Sequence, residues 1–120
     1  MATVNLDTSV RLDIVCRKGD TFSLPIDFQS AIDTTADNWT LQVRLTDTTE
    51  DSTIISINGA DNFAISDGTA TNSRLTITIA ADVMEFVDSG LFVYDLENDN
   101  AGVVKTYLYG TFKVNEDITV

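Results

Sequence analysis

The residues of this 120-residue chain that could carry chemistry are almost all carboxylates, because it has nineteen aspartates and glutamates and no histidine. Histidine is the commonest general base and metal ligand, so its absence removes every Ser-His and Cys-His arrangement. A hydrolase built on two carboxylates stays open as an alternative. The acids cluster in predicted turns, where water keeps carboxyl pKa values ordinary. The sequence therefore predicts no enzyme, no catalytic residue and no cofactor.

One acidic run could be read as a calcium loop, since Asp95, Glu97 and Asp99 alternate ahead of a glycine-containing turn. Calcium prefers several carboxylate oxygens as ligands. The EF-hand pattern requires glycine at its sixth position and glutamate at its twelfth, where this chain has Asn100 and Thr106. We therefore interpret the run as a hairpin turn with acidic flanks and predict no metal site.

The single cysteine, Cys16, lies in a strand-like run and cannot form an internal disulfide, so we expect a small buried hydrophobe. No apolar stretch approaches the roughly 20 residues that span a bilayer. The first seven residues lack the basic and apolar regions of a signal peptide. These features predict a protein made in the cytoplasm with no membrane partner.

The charge balance is strongly acidic, with seven basic residues, a formal net charge of -12 and a pI near 4.1. Phosphate binding requires clustered basic residues, and only Arg17 and Lys18 are adjacent, so we expect no nucleic-acid partner. Two interpretations of the acidity stay open. It either promotes solubility or favours docking on a basic partner surface.

The elements that would position these residues are β-strands, because apolar and polar residues alternate through most of the chain. Residues 80–88 break this period, since Val83, Met84 and Val87 fall at helical spacing. We expect a short helical crossover there from one sheet to the other. The predicted inward-facing positions include Val10, Leu12, Ile14, Cys16, Phe22, Leu24, Ile26, Phe28, Trp39, Leu41, Val43, Leu45, Phe92, Tyr94, Leu96, Phe112 and Val114.

Turn signals separate these strands about every ten residues. Asn58 and Gly59 predict a tight hairpin, and residues 98–102 predict another turn. We expect an all-β protein: a single antiparallel β-sandwich of about eight strands, immunoglobulin-like or jelly-roll-like. The sandwich domain is predicted over residues 10–115, with an N-terminal arm at 1–9 and a C-terminal tail at 116–120.

Residues 88–94 have the spacing of the corner that leads into strand F of immunoglobulin-type sandwiches, where Asp-x-Gly-x-Tyr-x-Cys is usual. Phe92 replaces the corner tyrosine and Tyr94 replaces the disulfide cysteine. The corner thus predicts a sandwich that is not a true immunoglobulin domain.

Four segments taken in order carry a family resemblance: RKGDTFSLPI at 17–26, WTLQVR at 39–44, GLFVYDL at 90–96 and GTFKV at 110–114. Together they resemble small β-sandwich modules of tailed-bacteriophage virions. The similarity is to the N-terminal domain of phage baseplate upper proteins and to stand-alone phage structural proteins, and it spans residues 10–115. Such modules attach fibres to a tail or baseplate, or decorate a capsid, and bring no catalytic residues.

The resemblance implies a virion structural protein that is made in the host cytoplasm. No fibre or coiled coil follows the sandwich, which favours an accessory subunit that binds the capsid surface as a decoration or cement protein. The alternative is a tail, neck, or baseplate/fibre adaptor. Expected partners are the major capsid protein or tail and baseplate proteins, and we expect a homo-oligomer, with a trimer among the options.

The predicted partner-binding residues are exposed apolar positions and a strand edge. Val15, Val93 and Leu108 lie on the outward phase of their strands, and Pro25 marks an edge strand because proline has no ladder donor. The competing interpretation is that the outward positions belong to a second buried sheet face.

A carbohydrate-binding sandwich is a further alternative, and it would need exposed aromatic residues on one face. Four aromatic residues are available, but most fall on the inward phase of their strands and are interpreted as core. These residues are Trp39, Tyr94, Tyr107 and Tyr109.

Overall fold

The computed structural model describes residues 9–46, 53–66 and 72–116. Within these residues, segments in which apolar and polar side chains alternate form nine β-strands. Most of the predicted N-terminal arm and C-terminal tail lie outside the described residues. The strands are β1 (Val10–Arg11), β2 (Ile14–Arg17), β3 (Phe22–Phe28), β4 (Trp39–Arg44), β5 (Thr53–Asn58), β6 (Phe63–Ser66), β7 (Ser73–Ile79), β8 (Gly90–Asn100) and β9 (Val103–Asn115). A 3₁₀ turn, Ala36–Asn38, precedes β4, and the helix α1, Ala81–Met84, precedes β8.

The strands form two sheets that pack face to face, which confirms the predicted β-sandwich. In the six-stranded sheet, β1 and β2 both pair with β9, and the order continues β9-β8-β4-β5. The second sheet has the order β3-β7-β6. This division of strands is that of an immunoglobulin-type sandwich rather than a jelly roll. The pairs of β1 and β2 with β9 are parallel, whereas the other pairs are antiparallel.

The core lies between the two sheets and is built from the alternate residues of their central strands. Inward-facing residues of β4, β7, β8 and β9 are buried, as their period-2 patterns predict. Those that are completely buried are Trp39, Leu41, Val43, Ser73, Leu75, Ile77, Ile79, Leu96 and Phe112.

The crossover from the three-stranded to the six-stranded sheet contains α1, as the sequence predicts for residues 80–88. Met84 and Val87 are 0% and 5% exposed and anchor this segment in the core. The predicted turn after β8 is also present, since Ala101 and Gly102 both have positive φ and connect β8 to β9 as a two-residue hairpin. Among the described residues, no helix is long and apolar enough to cross a membrane.

The hairpin predicted at Asn58 and Gly59 is wrong. β5 belongs to the six-stranded sheet and β6 to the other, so the turn carries the chain between sheets. The Asn58 side chain donates to the backbone carbonyl oxygens of Asp37 and Trp39 at 2.8 and 2.6 Å. These long-range bonds fix Asn58 beside the start of β4. The turn that follows connects β5 of the six-stranded sheet to β6 of the three-stranded sheet.

The outward placement of Leu108 is also wrong, because its side chain is only 6% exposed and belongs to the core. Leu96 pairs with Leu108, but the next residue, Glu97, pairs with Thr106. Tyr107 is therefore an extra residue in β9, a β-bulge that shifts the alternation by one position. The bulge turns Leu108 inward.

The same phase shift exposes Tyr109, which the sequence placed inside. Tyr107 remains half-buried, and its ring lies 5.0 Å from that of Trp39 and 5.6 Å from that of Phe28, measured between centroids. The bulge therefore places Tyr107 against the core and Tyr109 on the surface.

The inward placements of Val10, Leu12 and Leu45 are wrong as well, since these side chains are 60%, 37% and 57% exposed. The N-terminal edge breaks between β1 and β2, and the Leu12 amide donates to the carbonyl of Tyr109 at 2.8 Å. The Tyr94 hydroxyl donates to the carbonyl of Leu12. These bonds hold the backbone of Leu12 over β9 and leave its side chain partly in solvent.

Candidate functional site

The four sequence-predicted binding residues do not form one site. Val15 is 65% exposed on β2, and Val93 is half-buried on β8. Both belong to the outward surface of the six-stranded sheet, which we call the sheet face. Pro25 is exposed on the opposite sheet, where β3 is an edge strand as the proline predicts. Leu108 is in the core, so only Val15 and Val93 share an outward surface, where they lie on β2 and β8 with β9 between them.

A second surface gathers the largest exposed apolar side chain of the described residues, Phe86, which is 85% exposed. Leu45, Ile54 and Leu91 join it around one groove of about 560 Å³ and are 57%, 39% and 62% exposed. We call these four residues and the space between them the apolar end groove. Contiguous exposed apolar surface of this kind is typical of interaction sites.

The exposure of Phe86 follows from how the crossover is anchored. One helical turn places Met84 and Val87, three residues apart, on the same buried side. The amides of Phe86 and Val87 continue the turn by donating to the carbonyls of Val83 and Met84, each at 3.2 Å. Phe86 lies on the opposite side of this turn and is directed into solvent.

Acidic residues accompany Phe86 along the chain. Glu85 precedes it, Asp82 lies one turn earlier, and Asp88 lines the groove. All three are exposed, and the ammonium of Lys18 lies 3.9 Å from the Asp88 carboxylate. We call Asp82, Glu85 and Asp88 the acidic rim. An apolar groove with Asp88 in its lining and two more exposed carboxylates next to Phe86 in the crossover fits a partner surface that carries apolar and basic side chains.

The sheet face holds a second groove, of about 540 Å³. Strand pairing places Gln42 beside Asp95, Asp95 beside Tyr109, and Tyr109 beside Arg11. These four side chains line the groove and form one line across β4, β8, β9 and β1, which we call the Tyr109 row. Arg44, also in the lining, donates from Nη2 to Oε1 of Gln42 at 3.1 Å.

The carboxylates of this groove depart from the ordinary behaviour that the sequence suggested. Burial raises the pKa of the Asp95 carboxyl, and the Arg44 guanidinium opposes this shift. Burial also raises the pKa of Glu97, and the Asp95 and Asp99 carboxylates add to it. The groove walls therefore partly desolvate Asp95, which belongs to the Tyr109 row, and Glu97, which lies two residues further along β8.

The outward surface of the other sheet offers less. It presents small and polar side chains from β3, β6 and β7, with Arg74 and Asp27 in an ion pair at 2.7 Å. Among the described residues, no cluster of Cys, Asp and Glu side chains could hold a metal ion. Cys16 is half-buried, and burial raises the pKa of its thiol to about 11.

Neither Phe86 nor Leu91 was predicted from the sequence as a binding residue, and Tyr109 was named only among the four aromatic candidates of a carbohydrate-binding sandwich. A signal was present for Phe86, since it is the large apolar residue of the crossover that does not share the spacing of Val83, Met84 and Val87. Tyr109 required knowledge of the bulge at Tyr107.

No family model matches this chain, and no curated protein matches it. Solved structures with a similar backbone include the NK cell receptor Nkp44 (TM-score 0.35, 13% identity, covering 91% of this chain and 100% of that one). They also include an extracellular fragment of novel immune-type receptor 11 from Ictalurus punctatus (TM-score 0.38, 11% identity, 91% and 87% covered). A third is a structure from work on VGSC beta subunits (TM-score 0.30, 13% identity, 98% of both chains covered). Similarities this weak assign no function or partner to the chain.

Proposed function

We propose that this chain is a non-catalytic accessory subunit of a tailed-phage virion that docks on a larger virion protein through the apolar end groove. The first choice of location is the capsid surface, where the chain acts as a decoration or cement protein. The alternative is a tail, neck or baseplate adaptor. The ordered resemblance of residues 17–26, 39–44, 90–96 and 110–114 to phage virion modules supports this assignment.

The observation that carries the proposal is the exposure of Phe86, Leu45, Ile54 and Leu91 around a single groove. Transfer of a large aromatic side chain from water into an apolar site contributes roughly 2–3 kcal/mol of favourable free energy. A partner that covers the exposed side chain of Phe86 would gain this contribution on binding. Aromatic side chains near the centre of an interface often dominate its affinity. Phe86 is therefore the expected anchor of the interface.

The charge distribution favours a basic partner over self-association through this groove. Two copies meeting here would bring two acidic rims together on chains that each carry a net charge of -12. A partner patch with lysine or arginine around an apolar pocket would instead pair with Glu85 and Asp88. This links the acidic composition to docking rather than to solubility alone.

The non-catalytic part of the proposal rests on the acid-base inventory. The chain has no histidine, and the partly buried carboxylates of Asp95 and Glu97 lie side by side on one strand rather than across a cleft. The site chemistry therefore supports binding.

The first test is mass spectrometry of purified virions from the phage that encodes the chain, in which the chain should be present in stoichiometric amounts. Particles that lack the chain are then incubated with purified protein and sedimented. We expect saturable binding, and Phe86→Ser should weaken it at least about tenfold, because a hot-spot aromatic side chain is lost.

The matched control is Val103→Ser, since Val103 is 73% exposed in the β8–β9 hairpin, at the opposite end of β8 from the groove. It should bind like the unmodified chain. Absence of the chain from virions would refute the structural role, and unchanged binding of Phe86→Ser would show that the partner docks elsewhere. Electron microscopy of gold-labelled particles would then distinguish capsid from tail.

A further inference from the structure

The Tyr109 row has a spacing and a chemistry that suit a ligand much smaller than a protein. Neighbouring side chains across a sheet lie about 5 Å apart, so the four residues extend over about 15 Å. Tyr109, the aromatic member, is 39% exposed and has a carboxylate neighbour, Asp95, on one side and a guanidinium neighbour, Arg11, on the other. A ring-shaped ligand resting on Tyr109 would reach both neighbours.

The groove also contains acceptors without donors. No side chain or backbone amide among residues 9–46, 53–66 and 72–116 donates a hydrogen bond to the carboxylate of Asp95 or Glu97. Asp95 is exposed and Glu97 is half-buried, so a ligand that brings hydroxyl or N–H groups can reach both carboxylates. These acceptors are independent of the aromatic surface beside them.

The charges in the groove select among such ligands. The lining holds two cationic side chains, Arg11 and Arg44, and two carboxylates, Asp95 and Glu97, although the chain is strongly acidic. Arg11 also donates from Nε to the Asp13 carboxylate at 3.2 Å, just outside the lining. A singly charged ligand would find a like charge close to each opposite charge of this lining, and an anion would in addition be repelled by the net charge of the chain. A neutral ligand rich in hydroxyl groups meets neither penalty and can both donate and accept.

We infer that the groove on the sheet face is a binding site for a neutral carbohydrate, with one sugar ring on Tyr109 and its hydroxyl groups bonded to Asp95, Arg11 and Gln42. The volume of about 540 Å³ lies within the range of small-ligand sites and accommodates a short oligosaccharide. Val93 and Thr111 also line the groove beside this row.

This inference goes beyond docking on the particle and does not depend on it, because the sheet-face groove and the apolar end groove share no lining residue. A virion subunit with both surfaces would bind the particle by one and a surface glycan by the other. The variant Phe86→Ser should therefore leave sugar binding unchanged.

The experiment is an NMR titration of the ¹⁵N-labelled full chain with four neutral disaccharides, namely maltose, cellobiose, lactose and chitobiose, at millimolar concentrations. With at least one of them we expect saturable shifts of the amides of Gln42, Asp95, Tyr109 and Arg11. Tyr109→Ala should weaken binding about tenfold, because the stacking surface is removed. Asp95→Asn, which keeps the shape of the side chain, should also weaken it.

The control variant is Thr76→Ala, on the outward surface of the other sheet, which should bind as the unmodified chain does. Circular dichroism of each variant establishes that it is folded. The inference is refuted if none of the four sugars gives saturable shifts in the row, or if only sialyllactose or glucosamine, tested as charged probes, does so. It is also refuted if the row shifts with protein concentration alone, because a second copy then covers it.

Discussion

The side-chain amide of Asn98, near the end of β8, donates a hydrogen bond to the carboxylate of Asp33, with 3.2 Å between Nδ2 and Oδ2. The same carboxylate accepts from Asn38 Nδ2 at 2.7 Å and from the Thr35 amide at 2.9 Å. The Asp33 carbonyl accepts from the indole N–H of the completely buried Trp39 at 3.0 Å. Asp33 therefore ties the loop before β4 to the six-stranded sheet.

We expect Asp33→Ala to lower the free energy of unfolding by about 1–3 kcal/mol, measured by urea denaturation at neutral pH. The reason is that Asn98, which is only 5% exposed, and Asn38 lose their acceptor. Asp61→Ala, at an exposed turn position, is the control and should change stability by less than about 0.5 kcal/mol. Equal effects of the two substitutions would contradict this role for Asp33.

The same carboxylate predicts a pH dependence. Hydrogen bonds from Asn38 and Thr35 hold the pKa of Asp33 below its usual value of 3.8. A carboxyl whose pKa is lowered on folding stabilises the protein fully above the unfolded pKa and loses that contribution as pH falls towards the folded pKa. The stability difference between the unmodified chain and Asp33→Ala should thus be constant from neutral pH down to about pH 5 and shrink below about pH 4. A difference that stays constant down to pH 2 would be inconsistent with this bond network.

Gly110 is required by the close passage of the N-terminal edge over β9. A Cβ atom at this position would lie 2.5 Å from the carbonyl oxygen of Leu12 and 2.8 Å from Oδ1 of Asp13. We expect Gly110→Ala to destabilise the fold by about 2–4 kcal/mol, since the backbone of β1 and β2 must move. Gly102→Ala is the matched control, because its φ of +87° is strained for alanine but no atom lies within 4 Å of the added Cβ. Gly102→Ala should cost about 1–2 kcal/mol, and a Gly110 variant that costs less would argue against the close passage.

The bulge in β9 is tested by comparing two apolar residues that the sequence placed on the same outward phase. Leu108→Ala should cost about 2–4 kcal/mol, because the side chain is buried in the core. Val15→Ala should change stability by less than about 0.5 kcal/mol, because Val15 is 65% exposed. Urea denaturation measures both, and similar small effects would indicate that Tyr107 is not the extra residue.

The β9 residues also show why the sequence predicts the sandwich better than it predicts its surfaces. In β9, Tyr107 and Tyr109 stand at one phase of the inward–outward alternation and Phe112 and Val114 at the other. The pattern therefore implies that the alternation shifts by one residue within the strand. Its position depends on packing of the Tyr107 ring against Phe28 and Trp39, which come from distant parts of the chain. Strand existence is a local property, whereas the phase of a bulged strand is a tertiary one.

The apolar end groove was beyond sequence reasoning for a related reason. Leu45 and Ile54 each continue the alternating apolar pattern of a strand, which predicts burial. Both are exposed because they lie at the end of the six-stranded sheet, where they line the same groove as Leu91. The crossover at 80–88 was predictable from the helical spacing of Val83, Met84 and Val87. Met84 and Val87 are buried, whereas Val83 is 47% exposed. Phe86 faces solvent because its neighbours in the same turn, Met84 and Val87, are buried in the core.

The salt dependence of docking tests whether the acidic rim sets the association rate and Phe86 sets the dissociation rate. Charged groups at the edge of an interface mainly set the association rate and its response to salt, whereas buried apolar anchors mainly set the dissociation rate. In stopped-flow or surface-binding measurements on virions, Glu85→Gln should slow association at low ionic strength and reduce its salt dependence, because one rim charge is lost.

Phe86→Ser should instead accelerate dissociation and leave the salt dependence of association unchanged. Raising ionic strength from about 0.1 to about 1 M shortens the screening length from about 10 to about 3 Å, which should bring the association rates of the unmodified chain and Glu85→Gln together. Asp61→Gln, in the exposed turn after β5 and at the opposite end of that strand from the groove-lining Thr53, controls for net charge. If it lowered the salt dependence as much as Glu85→Gln, the overall charge of the chain, rather than the rim beside Phe86, would direct docking.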